Sequence, residues 1–269
     1  MALTIRAVEK YIRDAITVIS ESHTFRDKLT LLRYYLNAPF FMINHMRGKH
    51  NPRLLLQDVI IKNKYGIFFC DRNLYYALGF SSLVEPKIKE FLIKNNSDGV
   101  FVDIGANGGM HTIPSARNMQ GKVIAIEPEP KNFEILKKNI KLNGLKNVIA
   151  LNKGCFSKKG KLTFYLDDGG IGGHSFINKE IGHRHVKINV DTLDNILKNL
   201  KIKRVDLIKI DVEGAETDVL KGAMKTLKSS HPKIVFEAWD EKYLRKIEKI
   251  LKPLNYKVVK IAEENYLAT

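Results

Sequence analysis

Two acidic residues each lie at the end of an apolar run, where the chemistry of a ligand site is often placed. Asp103 lies in VFVDIG, and Glu127 lies in KVIAIEP. The small residues that follow Asp103 are Gly105, Ala106, Asn107, Gly108 and Gly109. Glycines accept unusual backbone dihedrals and let a ligand approach main-chain N–H groups. A carboxylate beside such a loop favours a cationic group, and Glu127 can accept hydrogen bonds from both hydroxyls of a ribose.

These residue types discriminate between nucleotides. A phosphate-binding P-loop needs a Lys-Ser/Thr pair after its glycines, and DIGANGGMH has none. The same segment matches the dinucleotide fingerprint only loosely, and Asp103 would repel a pyrophosphate. S-adenosylmethionine carries an ammonium and a sulfonium and has no phosphate, so the pattern predicts this cofactor. An NAD-dependent dehydrogenase remains as an alternative.

Further acids lie at the ends of two later apolar runs. Asp211 ends RVDLIKID, Glu213 follows it in DVEG, and Glu237 lies in KIVFEAW. In methyl transfer a protein mainly aligns the nucleophile and takes its proton. We expect Asp211 nearest the methyl group, with Glu213 or Glu237 as a base or as a ligand of a divalent cation. Alternatively, Glu213 and Glu216 only stabilise the N-terminus of the next helix.

Histidines are concentrated in a glycine-rich segment. His174, His183 and His185 lie there, and His174 is a candidate general base near neutral pH. The alternative is that all three are ordinary surface histidines. We assign no metal ligands, since a glycine-rich loop promises no fixed coordination geometry.

The elements that must position these residues alternate between strand and helix from about residue 97 onward. The predicted parallel strands are GVFVDIG, KVIAIEP, NVIALN, RVDLIKID, KIVFEAW and YKVVKIA. Helical segments lie between them, such as the amphipathic PKNFEILKKNIKLNG and AETDVLKGAMKTLK, each predicted as one helix. This alternation predicts an α/β fold with a doubly wound, mostly parallel, Rossmann-like sheet and helices on both faces.

Two regions depart from this alternation. Residues 1–80 are predicted to form two helices and a hairpin that turns at 63–66. This region could serve as a substrate cap or an oligomerisation surface, or its aromatic residues could simply pack onto the sheet. Residues 81–269 form the second predicted domain, with a Gly/His-rich insert at about 153–189 in which KLTFYL and VKINV are predicted strands.

Composition sets wider limits. The net charge of +16 fits an anionic partner such as RNA, or merely solvated lysines on helix faces. The sequence shows no apolar run of membrane-spanning length and only two cysteines. We therefore expect no membrane span and a reducing, cytoplasmic location.

The ordered motifs resemble the FkbM family of S-adenosylmethionine-dependent methyltransferases. VFVDIGANGGMHT, IAIEPEPKNFEILKKNIKLNGLKNV, VDTLDNIL, DLIKIDVEGAETDVLKGA and IVFEAWD carry the resemblance. The resemblance implies a class I sheet with a seventh, antiparallel strand, for which only ENYLAT remains. It also implies that residues 103 and 105–108 form the cofactor loop, with Glu127 and Pro128 on the ribose side. The segment 152–155, with Gly154 and Cys155, would lie near the adenine.

The sequence thus predicts O-methylation of a small-molecule or sugar hydroxyl, with S-adenosylhomocysteine as the second product. An RNA methyltransferase is the main alternative, although DVEG stands where base N-methylases of that kind carry Asn-Pro-Pro. A non-catalytic S-adenosylmethionine-binding protein is a further alternative.

Overall fold

The computed structural model describes residues 5–46, 57–72, 74–95, 98–165 and 185–269. These residues belong to two units, Met1–Pro86 and Lys87–Thr269. None of the helices in the described ranges combines the length and apolarity needed to cross a membrane.

The first unit contains a helical pair and a β-hairpin. Its elements are α1 (Ile5–Ser20), α2 (Phe25–Met46), β1 (Val59–Asn63), β2 (Gly66–Cys70) and α3 (Leu74–Gly79). β1 and β2 pair antiparallel and turn between Asn63 and Gly66, as predicted. The Glu21 carboxylate, just after α1, accepts hydrogen bonds from the side chain of Asn63 and the main chain of Ser82, both at 2.9 Å. This acid therefore ties the helical pair to the hairpin and to the end of the unit.

Several apolar side chains on α1 and α2 are exposed. They are Val8, Ile12, Ile16, Phe25, Leu29, Leu32 and Leu36. The spacing of three and four residues puts them along one stripe of each helix. The roles predicted for this region, a substrate cap or an oligomerisation surface, stay predictions.

The second unit is built on a seven-stranded sheet. Its elements are α4 (Pro86–Lys94), β3 (Val100–Ile104), α5 (Thr112–Arg117), β4 (Lys122–Ile126), α6 (Pro130–Leu142), β5 (Val148–Leu151), β6 (Gly154–Cys155), β7 (Gly160–Tyr165), β8 (His185–Asp191), α7 (Leu193–Asn199), β9 (Leu207–Ile210), α8 (Glu216–Gly222), α9 (Met224–Ser230), β10 (Lys233–Glu237), α10 (Glu241–Leu251), a 3₁₀ turn (Lys252–Leu254), β11 (Val258–Lys260) and β12 (Asn265–Ala268).

The strand order of the large sheet is β11-β12-β10-β9-β3-β4-β5. β10, β9, β3, β4 and β5 pair in parallel, whereas β12 is antiparallel to both of its neighbours. The strand order switches sides at β3, the first of these strands in sequence. β4 and β5 lie on one side of it, and β9 and β10 lie on the other. This confirms the predicted fold class, and the seventh strand is present but only four residues long.

Both faces of the sheet are covered by helices, and most of the strand positions that face them are apolar. One face packs Val102, Ile124, Ile208 and Phe236 into a core that includes residues of α7, α8, α9 and α10. The other face packs Phe101, Val123, Leu207 and Val235 with residues of α4 and α5. Residues two apart on a strand share a face, so Asp103 follows Phe101 onto the side of α5.

Local signals explain the helix ends. α6 begins with Pro130 in its first turn, and the Glu129 side chain caps it by accepting from the Asn132 N–H at 2.5 Å. The segment predicted as one helix over AETDVLKGAMKTLK is instead two helices, α8 and α9, which meet at Ala223. Gly222, at the end of α8, lies against the main-chain carbonyl of Phe156, where a Cβ atom would approach to 2.1 Å.

The insert forms a small second sheet, ordered β6-β8-β7. β7 and β8 are the two strands predicted from KLTFYL and VKINV, and they pair antiparallel. His174 and His183 lie outside the described residues, and His185 is an exposed residue at the start of β8.

Candidate active site

Asp103 is a buried carboxylate at the carboxyl end of β3. Its Oδ2 accepts a hydrogen bond of 2.5 Å from the Thr112 hydroxyl, at the start of α5. Burial raises the pKa of Asp103, while His111, Thr112 and Lys209 lower it. A cationic ligand group at this place would stabilise the ionised carboxylate.

Main-chain N–H groups of the loop after β3 donate hydrogen bonds that hold the loop in place. The Gly105 and Ala106 N–H groups both donate to the Ile126 carbonyl, and the Gly108 N–H donates to Asn107 Oδ1 at 2.8 Å. Gly105 has a φ of +84°, and a Cβ there would lie 1.7 Å from the carbonyl oxygen of Asp211. The close approach of the Asp211 main chain therefore requires glycine at position 105, whether or not a ligand is bound there.

Glu127 is also buried, at the end of β4. Its Oε1 accepts from the Glu129 N–H at 2.9 Å, and its Oε2 accepts from the Asn107 N–H at 2.7 Å. Burial, with a smaller contribution from the charges of Glu129 and Asp103, raises its pKa to about 8 against the lowering effect of these two hydrogen bonds. Glu127 thus joins the loop after β3 to the loop after β4. Although Glu127 follows the end of a strand, it is not a surface residue.

The segment predicted near the adenine lies at the end of β5. Asn152 Nδ2 donates to the carbonyls of Glu127 and Pro128 at 2.9 and 3.1 Å, so it fixes this loop against the previous one. Gly154 and Cys155 form β6 and pair with β8. The Cys155 side chain is buried in the core, so a contact with a cofactor would come from its main chain.

Asp211 follows β9 and is paired with a lysine that our sequence analysis missed. Lys209 Nζ lies 3.2 Å from Asp211 Oδ2, and the lysine side chain is fully buried while that of the aspartate is 23% exposed. Lys209 also pairs in register with Asp103 on β3. The sequence signal for this buried lysine is its position within the apolar run DLIKID.

The DVEG turn after Asp211 is held by an acid farther along the chain. Glu213 has a φ of +51°, which is uncommon for a residue with a side chain. Glu216 Oε1 accepts from the N–H groups of Val212 and Gly214 at 3.1 and 3.3 Å, and its Oε2 accepts from the Tyr243 hydroxyl. Glu216 therefore fixes the turn that carries Glu213.

Glu237 is the last residue of β10. Phe236 pairs with Ile210 of β9, so Glu237 and Asp211 leave neighbouring strands at the same level. On its other side Glu237 pairs with Asn265 of β12.

The fold thus brings most of the predicted residues to one edge of the sheet. Asp103, Glu127, Asp211, Glu213 and Glu237 all lie at or just beyond the carboxyl ends of β3, β4, β9 and β10. Within the described ranges, no group of three or more His, Cys, Asp or Glu side chains has an arrangement that could hold a metal ion. His174, the predicted alternative base, lies outside those ranges.

The chain is similar to known methyltransferases. The family described as "Methyltransferase FkbM domain" matches residues 103–258. Methyltransferase sdnD of Sordaria araneosa is 28% identical over 241 residues, which cover 74% of this chain and 92% of that protein. Hexuronic acid methyltransferase AglP of Haloferax volcanii is 28% identical over 142 residues, which cover 53% of this chain and 57% of that protein.

A solved structure shares the fold. The crystal structure of Methyltransferase FkbM from Methylobacillus flagellatus superposes with a TM-score of 0.51 at 16% identity, covering 98% of this chain and 60% of that chain. The chain therefore spans nearly all of one relative and little more than half of AglP and of this structure. Since the family match covers more than half of the sequence and includes every acid at the sheet edge described above, the chain belongs to the FkbM methyltransferase family.

Proposed function

We propose that this protein transfers a methyl group from S-adenosylmethionine to a hydroxyl group of a small molecule, most readily a sugar or sugar acid. The observation that carries the proposal is the pair of buried carboxylates, Asp103 and Glu127, at adjacent strand ends beside the loop after β3. The hexuronic acid methyltransferase among its relatives supports a sugar acceptor.

The residues present suit this cofactor. In the segment 103–112 the ionisable residues are Asp103 and His111. The segment contains neither lysine nor arginine, so it offers little to a phosphate group. Asp103 would hold the ammonium group, and Glu127 would accept hydrogen bonds from the ribose hydroxyls. When bound, S-adenosylmethionine supplies a methyl group activated by its sulfonium.

The remaining work falls to the acids around Asp211. The acceptor hydroxyl loses its proton during transfer, so an acceptor for that proton is needed at the sheet edge. Asp211 is partly exposed, and its Oδ2 lies 3.2 Å from the buried Lys209 ammonium. Glu213 lies in the turn after β9, and Glu237 is the last residue of β10, at the same edge of the sheet. We assign proton acceptance to one of these three acids and alignment of the hydroxyl to the others.

Calorimetric titration with S-adenosylmethionine, S-adenosylhomocysteine and NAD tests the cofactor. We expect binding of the first two and none of NAD, with affinity lost in Asp103→Asn and Glu127→Gln. Glu134→Gln, at an exposed position on α6, is the matched control and should bind normally. Binding of NAD alone, or unchanged affinity in both site variants, would refute the cofactor assignment.

Transfer of an isotope-labelled methyl group tests the acceptor. The panel comprises methyl glycosides of hexoses and hexuronic acids, together with unmodified tRNA, for which the net charge of +16 is the favourable observation. We expect label on the glycosides, and loss of turnover without loss of cofactor binding in at least one of Asp211→Asn, Glu213→Gln and Glu237→Gln. Label on tRNA alone would support the RNA methyltransferase instead.

A further inference from the structure

Trp239 is a large aromatic side chain that the protein leaves exposed next to the candidate active site. It follows Glu237 and Ala238 at the end of β10, and it remains 47% exposed. Ala238 is buried, and its N–H donates to the Glu264 carbonyl at 2.9 Å, so the main chain beside the tryptophan is fixed. An exposed tryptophan in an isolated surface position needs no explanation, but this one lies at a predicted site.

The indole is held in one orientation by its neighbours. Its ring stacks on Tyr243 with the centroids 5.3 Å apart and the planes within 10°. Tyr243 in turn donates its hydroxyl hydrogen to Glu216, the acid that holds the turn after β9. The side chain of Asp240 caps α10 by accepting from the Tyr243 N–H at 2.6 Å, which fixes the start of the helix that carries the tyrosine. A continuous set of contacts therefore links Trp239 to the turn that carries Glu213.

We propose that Trp239 is a binding platform for the pyranose ring of the methyl acceptor. The face of an aromatic ring carries negative charge density, and the C–H groups on one face of a pyranose carry partial positive charge, so the two surfaces attract each other. The sugar hydroxyls point away from that face, so one of them can reach the acids at the ends of β9 and β10. The proposal rests on the proposed function and adds the group that selects the acceptor.

Two features favour a ring over an extended chain as the occupant. The indole offers a flat apolar surface that is already immobilised by Tyr243, so binding loses little side-chain entropy. Glu237 and Asp240 lie within two positions of Trp239 in the chain, and carboxylates can accept hydrogen bonds from hydroxyl groups. A ligand with one apolar face and a hydroxylated edge matches both requirements.

Trp239 is the single tryptophan of the chain, so fluorescence excited at the red edge of the absorption band, where tyrosine absorbs little, reports on this position. The experiment titrates the full chain, saturated with S-adenosylhomocysteine, with methyl glucoside and methyl glucuronoside. Sorbitol and gluconate, a neutral and an acidic open-chain polyol, serve as controls that lack a ring. We expect a saturable change in emission with the glycosides and none with the open-chain controls.

Trp239→Leu and Trp239→Phe test the same point through transfer. We expect Trp239→Leu to raise the KM for the glycoside roughly threefold to tenfold, and Trp239→Phe to raise it less. Thermal unfolding and calorimetric binding of S-adenosylmethionine should match the unaltered protein in both variants, because the indole is exposed and is not assigned to the cofactor. Phe25→Leu, at an exposed aromatic position in the first unit, is the control substitution.

The outcomes separate this proposal from the proposed function. If labelled methyl reaches a glycoside while Trp239 emission and the KM of Trp239→Leu stay unchanged, the platform is refuted and the methyltransferase stands. If none of the glycosides alters emission, or adenosine and uridine alter it more strongly, the pyranose assignment is overturned. Failure of S-adenosylmethionine to bind the unaltered chain refutes the proposed function itself.

Discussion

Lys209 and Asp211 form an ion pair in which the lysine is fully buried, with 3.2 Å between Nζ and Oδ2. The pair lies at the carboxyl end of β9, and Lys209 pairs in register with Asp103 on β3. The Lys209 ammonium therefore interacts with two carboxylates: Asp103, which we assign to the cofactor's ammonium group, and Asp211, which we assign to the acceptor hydroxyl. Its charge lowers the pKa of Asp103 against the effect of burial.

Removing this ammonium should be costly. Lys209→Met leaves two acids in a buried region without their cation, and we expect the free energy of unfolding to fall by about 3–5 kcal/mol. Asp211→Asn should cost less, because that side chain is partly exposed. In the double variant the losses should be less than additive by about 1–3 kcal/mol. Urea unfolding of all four proteins measures the coupling.

The exposed pair Lys221–Asp218 is the control for this cycle. Its atoms are 3.8 Å apart, and the lysine is on the surface, so Lys221→Met should change stability by about 1 kcal/mol or less. Strict additivity at Lys209 and Asp211 would show that the two residues do not act as a pair.

This lysine marks a limit of sequence reasoning. The apolar periodicity of β9 and the acids at the strand ends predicted the order of the elements and the edge where the site lies. Nothing in DLIKID states that the lysine turns inward, because burial of a charge depends on the neighbouring strands, and Asp103 is more than a hundred positions away. The break between α8 and α9 was missed for the same reason, since the close contact of Gly222 is with Phe156.

Gly105→Ala should disrupt the loop after β3. The added Cβ would lie 1.7 Å from the Asp211 carbonyl oxygen, so the two strand ends must separate. We expect a loss of several kcal/mol in the free energy of unfolding, together with loss of S-adenosylmethionine binding. Calorimetry and urea unfolding are the measurements.

Gly144→Ala isolates the effect of backbone conformation. Gly144 also has a positive φ, of +64°, but a Cβ there would meet nothing within 4 Å. It should cost about 1–2 kcal/mol and leave cofactor binding intact. Equal losses in the two variants would argue against the close approach of Asp211 as the cause.

Glu127 should make stability depend on pH. Burial raises its pKa to about 8 from the model-compound value of 4.5, so the folded chain binds more protons than the unfolded chain between these values. The contribution of Glu127 is therefore fully present below pH 4.5 and is lost as the pH rises towards 8, by up to about 1.4 kcal/mol per pH unit.

Glu127→Gln removes this dependence. The variant loses one hydrogen bond at every pH, because the amide NH2 group replaces one carboxylate oxygen and cannot accept from the Asn107 or the Glu129 N–H group. Relative to the unaltered protein, however, it should gain stability between pH 5 and pH 8, as measured by urea unfolding at each pH. Glu134→Gln, at an exposed position, should run parallel to the unaltered protein. A parallel curve for Glu127→Gln as well would mean that Glu127 is ionised throughout this range.

Tyr243→Phe should destabilise the turn after β9 in a pH-dependent way. The Tyr243 hydroxyl donates to Glu216. Burial raises the pKa of Glu216 and this hydrogen bond lowers it, so removal of the hydroxyl raises the pKa of Glu216 further. Because an acid with a raised pKa loses its stabilising contribution as the pH rises, we expect a greater loss of stability at pH 8 than at pH 5, of about 1–3 kcal/mol. Tyr256→Phe is the matched control, since that hydroxyl donates at 3.0 Å to the neutral Pro232 carbonyl and its loss should be the same at both pH values. If both variants lose the same stability at both pH values, Glu216 is not the group that Tyr243 stabilises.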